Sequence, residues 1–181
     1  MEMWDWLGDP LPIDVANTRR RFGATYRDLW RDGADVATWA GHETGRVPPI
    51  HPAEADLPAL RAVRDDVFAV LLATAEAEPA PQEAVDRLNA LARAHPVVDQ
   101  LGGEAPWTGA AEGVDELIAL IVHATIAFAA HADAERLAWC DAPSCGQFFL
   151  RGRRDQQWCG TACGTRARVA RHAAGGSHRT R

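Results

Sequence analysis

Cys140-Asp141-Ala142-Pro143-Ser144-Cys145 and, thirteen residues on, Cys159-Gly160-Thr161-Ala162-Cys163 hold all four cysteines of the 181-residue chain. The spacing C-x4-C-x13-C-x3-C sets four thiolates in two close pairs, the way a short segment surrounds one tetrahedral zinc ion. Soft thiolates and tetrahedral geometry suit zinc; a mononuclear iron or an iron–sulfur cluster would use the same ligands. Two disulfides are the remaining option. They fit poorly, because the N-terminal MEMWDWLGDPLPID lacks a basic n-region and an apolar h-region, so the reading expects a cytoplasmic, reducing setting. A disulfide framework would also staple the first 135 residues, which carry no cysteine. The expectation is therefore one zinc ion per chain, bound by Cys140, Cys145, Cys159 and Cys163. With no open coordination position, its role is structural.

Basic residues surround this motif: Arg151, Arg153 and Arg154 between the pairs, Arg166, Arg168 and Arg171 after them. These six are the candidate nucleic-acid contacts, since nucleic acid is the commonest partner of an arginine-bearing zinc module. The chain has no lysine, a composition bias, so arginine content alone is discounted. The distribution of charge says more. Residues 1–135 hold ten arginines against 23 acidic residues, a net of −13, whereas residues 136–181 hold nine against two, a net of +7. Four zinc-bound thiolates would lower the latter to about +5. An acidic body joined to a basic metal module suits a regulator or adaptor with one nucleic-acid face. The alternative is that the basic segment packs back on the acidic body.

Hydrophobic residues make up 47% of the chain, enough for a core, and no apolar run reaches membrane-spanning length. Ile13, Ala16, Phe22, Tyr26 and Trp30 can form a helical face across Ile13–Trp30, and Asp35 can cap a helix carrying Val36 and Trp39. Four prolines mark 45–58 as a loop. Leu60, Val63, Val67, Val70 and Leu71 repeat at three-and-four spacing in a helix opened by Asp56 and ended before Pro79. A second helix spans about 82–95, stopped by Pro96. Val97, Val98 and Leu101 can form a short strand before Gly102-Gly103, with a return strand through Trp107. A third helix over about 113–132 is apolar around much of its circumference and so belongs at the centre of a bundle. The predicted fold is mainly α: a helical body (1–135) with a small β-hairpin, a four-cysteine zinc finger (136–174), and a disordered basic tail (175–181).

Within the finger, Cys140–Cys145 reads as a knuckle, and Phe148–Leu150 with Gln156–Trp158 as a hairpin around Arg151–Asp155. Cys159 and Cys163 fall at the start of a helix, where backbone N–H groups favour thiolates. Knuckle, hairpin and helix make a treble-clef-like finger. No hydrolase, phosphate-loop or dinucleotide motif is present, so the reading is not enzymatic.

The run from Trp158-Cys159-Gly160-Thr161-Ala162-Cys163-Gly164-Thr165-Arg166-Ala167-Arg168, with Cys140-x4-Cys145 and Phe148-Phe149 ahead of it, resembles the CGNR zinc finger. Ile13-Asp14-Val15-Ala16-Asn17-Thr18, followed by Asp35-Val36-Ala37-Thr38-Trp39, is similar to the ABATE domain of bacterial stress-induced transcription regulators. The two together would cover almost the whole chain. The resemblance implies a DNA-binding transcription regulator with the four cysteines as zinc ligands. Two departures stand out. Thr165 replaces the signature asparagine, removing an amide able to make paired hydrogen bonds, and the segment after Phe149 is shortened and lacks the usual Asp and Ser/Thr.

The leading expectation is a regulator whose body senses a ligand or mediates assembly and whose finger binds DNA. A small-molecule effector would meet Asp14, Asn17, Arg20 and Trp39, and homodimerisation through the body would compensate for the weak grip of one finger. The alternative is an interaction adaptor in which the finger is a structural clasp.

Overall fold

The computed structural model describes residues 8–23, 25–99, 101 and 111–176. A first helix, α1 (Leu11–Ala16), is buried along its whole length. It stops because the Thr18 hydroxyl donates to the Val15 carbonyl (2.7 Å), while the Thr18 carbonyl accepts from the Leu29 N–H (2.8 Å). The chain then forms an antiparallel hairpin, β1 (Arg19–Phe22) and β2 (Thr25–Asp28), with Arg19 opposite Asp28 and Phe22 opposite Thr25. This corrects the expected helical face across Ile13–Trp30. Phe22 and Tyr26 are 61% and 44% exposed, so the apparent period-3.6 stripe had no core to face. Arginine, threonine and aromatic residues flanking Gly23 suit a pleated ribbon instead.

Helix α2 (Gly33–His42) is capped one turn earlier than expected, by Asp32, whose carboxylate accepts from the Asp35 N–H (2.9 Å). Only glycine fits at position 33: an added Cβ would lie 2.0 Å from the Pro52 carbonyl oxygen. After the proline-rich loop and a single 3-10 turn at Glu54–Asp56 come α3 (Leu57–Glu76), α4 (Gln82–Ala94) and α5 (Val114–Ala129). All three match the periodicity. The return strand expected through Trp107 lies outside the described residues. A second 3-10 turn (Ala132–Arg136) leads to β3 (Leu137–Trp139), which pairs antiparallel with β4 (Phe148–Leu150), and the chain ends in α6 (Thr161–Gly176). The helix thus runs past the expected start of the tail at 175; residues 177–181 lie outside the described residues.

The core is built where α1 packs on α3 and α5. Ile13, Val15, Leu60, Val67, Leu117 and Ile121 are fully buried there, each contributing about 1.5–3 kcal/mol relative to exposure. Trp30 and Trp39 meet edge to face at 5.1 Å on its α2 side. Two charge pairs pin the periphery. The buried Arg64 of α3 forks onto both oxygens of Asp28 (2.6 and 2.8 Å), fixing the end of β2. Burial works against that carboxylate, but the hydrogen bonds and charge of Arg64 outweigh it and hold Asp28 below the ordinary range. Arg46 likewise binds Asp14 of α1 (2.8 Å) and the fully buried Glu43.

One side of the segment 137–150 enters this core, while Ala138, Cys140, Ala142, Cys145 and Phe149 form a second cluster with Cys163. Leu137 and Phe148 belong to the same buried cluster as α1, α3 and α5. The Phe148 ring packs against Phe68 of α3 (5.1 Å) and Trp139 (4.8 Å). The side-chain amide of Asn17 then treats Phe148 as a neighbouring strand would: its oxygen accepts from the Phe148 N–H (2.8 Å), and its nitrogen donates to the Phe148 carbonyl (3.0 Å).

Asn17→Ala leaves both Phe148 backbone groups without those partners and is expected to destabilise the protein by about 1–3 kcal/mol, seen as a lower midpoint in thermal unfolding. A second expectation concerns pH. Burial pushes Asp14 up to about 7; the Arg46 hydrogen bond pulls it down and the charge of Glu43 adds to the rise. A carboxyl raised in the folded state contributes its stability in full below its unfolded pKa of about 4, and loses it as pH climbs through its folded value. Urea midpoints should therefore fall between about pH 4 and about pH 8, and Asp14→Asn should flatten that part of the profile.

Candidate metal centre

The β3–β4 hairpin carries the first cysteine pair at its tip. Cys140 follows β3, the chain turns through Pro143 and Ser144, and the Gly146 N–H returns to the Cys140 carbonyl (3.1 Å). Gly146 adopts φ +64°, and a Cβ there would lie 2.6 Å from Arg21 Cβ and 3.2 Å from the Trp139 ring. The knuckle is therefore a close-packed turn that only glycine closes. The second pair comes from the other side. Cys159 precedes α6 and Cys163 lies in its first turn, facing inward with Ala167 one turn on.

The four sulfur atoms all lie within 4.8 Å of one another, with Cys145–Cys159 at 3.6 Å and Cys159–Cys163 at 3.4 Å. A tetrahedron with metal–sulfur bonds near 2.3 Å has sulfur–sulfur edges of about 3.8 Å, so the donor set fits a tetrahedral cation. Its acidity points the same way. Four thiols this close cannot ionise together unaided: hydrogen bonds from Cys145 and then Cys159 hold Cys140 as a thiolate, down at about 2. The same contact with Cys140 pushes Cys145 up to about 12, and contacts with Cys140 and Cys145 push Cys159 higher. A divalent cation would offset that repulsion. The N–H of Cys159 points at Cys140 Sγ (3.5 Å), and the Arg166 guanidinium donates to Cys163 Sγ (2.9 Å).

The body supports the knuckle through a residue that sequence reasoning missed. Arg21 of β1 donates to the Asp141 carboxylate (2.8 Å) and to the Asp141 and Ala142 carbonyls (3.1 and 3.0 Å), and its backbone N–H reaches the Cys145 carbonyl (3.3 Å). Nothing in the local sequence marks this contact, because it spans 120 residues. The hairpin expected between Phe148–Leu150 and Gln156–Trp158 is also placed differently. Strand β4 pairs backwards with β3, and 151–158 closes as a loop. There the Gln156 side chain accepts from the Gly152 N–H (2.9 Å) and donates to the Trp158 carbonyl (3.0 Å).

The six arginines separate by environment. Arg153, Arg154, Arg168 and Arg171 are exposed along the loop and α6, whereas Arg151 is half-buried beside Arg136. Arg166 folds back onto Cys163 Sγ. Arg153 and Arg168 both line a cleft of about 490 Å³ that also presents Asp155, Gln157, Trp158 and Thr161. Of the four effector candidates, Asp14 is held by Arg46, Asn17 by the Phe148 backbone, and Trp39 is buried against Trp30, while Arg20 lies on β1 opposite Arg27.

A family model described as "Putative stress-induced transcription regulator" (ABATE) matches residues 9–142, and one described as "CGNR zinc finger" matches residues 136–174. The chain belongs to the ABATE family and carries the CGNR finger at its C-terminal end. Both are of regulator or zinc-finger type. No curated protein matches the chain. Among the described residues, no helix is long and apolar enough to cross a membrane.

Arg166→Gln removes the guanidinium that donates to Cys163 Sγ. Outer-shell partners of this kind are worth about 10- to 100-fold in metal affinity, so the variant should lose metal to a chromophoric chelator at correspondingly lower chelator concentration.

Proposed function

We propose that the protein is a cytoplasmic transcription regulator that binds DNA through its C-terminal finger. One structural zinc ion would be held by Cys140, Cys145, Cys159 and Cys163. The observation that carries the reading is the separation of roles around the cysteine cluster. One side of the knuckle is docked on the body through Phe148, Asn17 and Arg21. The loop 151–158 and α6 instead expose Arg153, Arg154, Arg168 and Arg171 beside a polar cleft. Guanidinium groups on an exposed helix and an adjoining loop suit phosphate contacts, which fix register on a duplex. Residues 136–174 would act as the DNA-binding finger. Residues 1–135 would act as its support and as the part that senses an effector or mediates dimerisation. The clasp alternative has its own support in the buried Phe148, but the clasp side and the arginine side are different surfaces, so docking leaves the basic face available.

The test is a titration of metal-loaded protein with mixed duplex DNA at two salt concentrations. With three or more phosphate contacts, a fourfold rise in salt should weaken binding roughly 10-fold or more. The Arg153→Ala/Arg154→Ala/Arg171→Ala variant should bind more weakly, with a shallower salt dependence. No binding to duplex DNA at low salt would reject this function in favour of a protein partner.

A further inference from the structure

Loop 151–158 and the first turns of α6 line the cleft of about 490 Å³, within the range of roughly 300–1,000 Å³ that takes a small-molecule-sized group. Trp158 is part of its wall. A Cβ added at Gly164 would lie 3.2 Å from Trp158 Cδ1, so the indole rests directly on the backbone of α6. The Trp158 carbonyl accepts from the Gln156 amide (3.0 Å), whose oxygen accepts from the Gly152 N–H (2.9 Å). These bonds fix the loop that carries the ring, yet Trp158 is only half-buried. The other polar groups of the cleft are less committed. The Gln157 amide and the Thr161 hydroxyl are exposed and make no hydrogen bond among the described residues. Arg168 lies along α6, donating from Nε to the Gly164 carbonyl and from Nη2 to the Thr165 hydroxyl (both 3.3 Å). Arg153 is exposed and pairs loosely with the exposed Asp155 (3.7 Å). Two guanidinium groups against one carboxylate leave the lining with a net charge of +1.

We propose that this cleft binds a single unstacked nucleotide, with its base against Trp158, the edge of that base on the Gln157 amide, and its phosphate on Arg153 and Arg168. The proposal deepens the finger reading and rests on it only for the source of the nucleotide. A nucleic-acid strand supplies one wherever a base leaves the stack, and a free mononucleotide offers the same chemistry. An aromatic side chain beside guanidinium groups holds bases by stacking and phosphates by charge. A side-chain amide with no partner of its own gives both a donor and an acceptor to the edge of an unpaired base. The net charge of the lining complements the single negative charge of a phosphodiester, whereas a triphosphate would meet the Asp155 carboxylate with excess negative charge. Other ligand classes match fewer of these groups. An inorganic anion would use the arginines and leave the indole without a counterpart. An apolar ligand would cover the arginines and Gln157 without pairing them.

The deciding experiment titrates full-length, metal-loaded protein by fluorescence anisotropy with three end-labelled probes. They are a mixed-sequence single-stranded octanucleotide, the same strand with abasic sites in place of its bases, and a duplex. Adenosine and guanosine monophosphate serve as unlabelled competitors. The wild type should bind the octanucleotide about 10-fold more tightly than the abasic strand. Trp158→Leu keeps an apolar side chain on α6, and zinc analysis with a thermal melt checks its fold. It should lose the preference for bases while binding the abasic strand as the wild type does. Gln157→Ala removes no hydrogen bond within the protein and should weaken only the octanucleotide, by about 5-fold. Arg153→Gln/Arg168→Gln should weaken both strands and lower the salt slope by about 1.4 log units per log unit. Displacement of the octanucleotide by the monophosphates identifies the free nucleotide as a ligand; retention of the strand against them identifies the strand as the source. Equal binding of the two strands by the wild type, or equal weakening of both by Trp158→Leu and Gln157→Ala, overturns the cleft proposal. Duplex binding that persists in that case leaves the finger reading intact. Base-dependent binding of the octanucleotide without binding of the duplex supports the cleft and rejects the duplex reading. No binding of any probe overturns both.

Discussion

Phe148 lies between the two cysteine pairs in sequence, yet its ring is fully buried with Phe68 and Trp139 in the core of the body. The rest of the arrangement follows from that burial. Anchoring β4 sets the position of β3, and the two strands hold the Cys140–Cys145 knuckle at their common tip. The knuckle then presents two sulfurs toward the start of α6, which supplies the other two. Small metal modules usually draw their folding energy from the ion alone. Here the packing of Phe148 and the Asn17 amide clamp add contacts with the body to those that an ion would supply.

That anchoring also divides the surface. Arg21, Asn17 and Phe148 consume one side of the finger in contacts with the body. What remains outward is the loop 151–158 and α6, where the exposed arginines gather. The charge asymmetry of the chain is therefore spatial as well as sequential. The acidic body neutralises the arginines it uses as braces, as Asp65 does for Arg19 and Asp28 for Arg64, and the finger's Arg153, Arg154, Arg168 and Arg171 stay exposed.

The metal centre was legible because its signal is local. Four cysteines at short spacing leave one geometry, and the long apolar repeats of α3, α4 and α5 leave little choice of helix. The N-terminal hairpin was not legible. Ile13, Ala16, Phe22, Tyr26 and Trp30 recur at helix-compatible intervals, and only the exposure of Phe22 and Tyr26 reveals that no core faces them. The pairing of β3 with β4 was missed for a related reason: Leu137-Ala138-Trp139 is too short to show a period. The Asn17–Phe148 and Arg21–Asp141 contacts join residues 131 and 120 positions apart, and no pattern in one sequence encodes a partner at that distance. Arg166, expected among the nucleic-acid contacts, donates to Cys163 Sγ in the fold.

The central claim is that four thiolates gathered by a docked hairpin and the start of α6 hold a single zinc ion. Native mass spectrometry of the intact chain, before and after alkylation of the cysteines, tests it most directly. The account predicts one zinc per chain that resists dilution and is lost, with all four thiols alkylated together, once a strong chelator opens the site at neutral pH. A metal-free chain with two disulfides, or a chain carrying iron and inorganic sulfide, would contradict it.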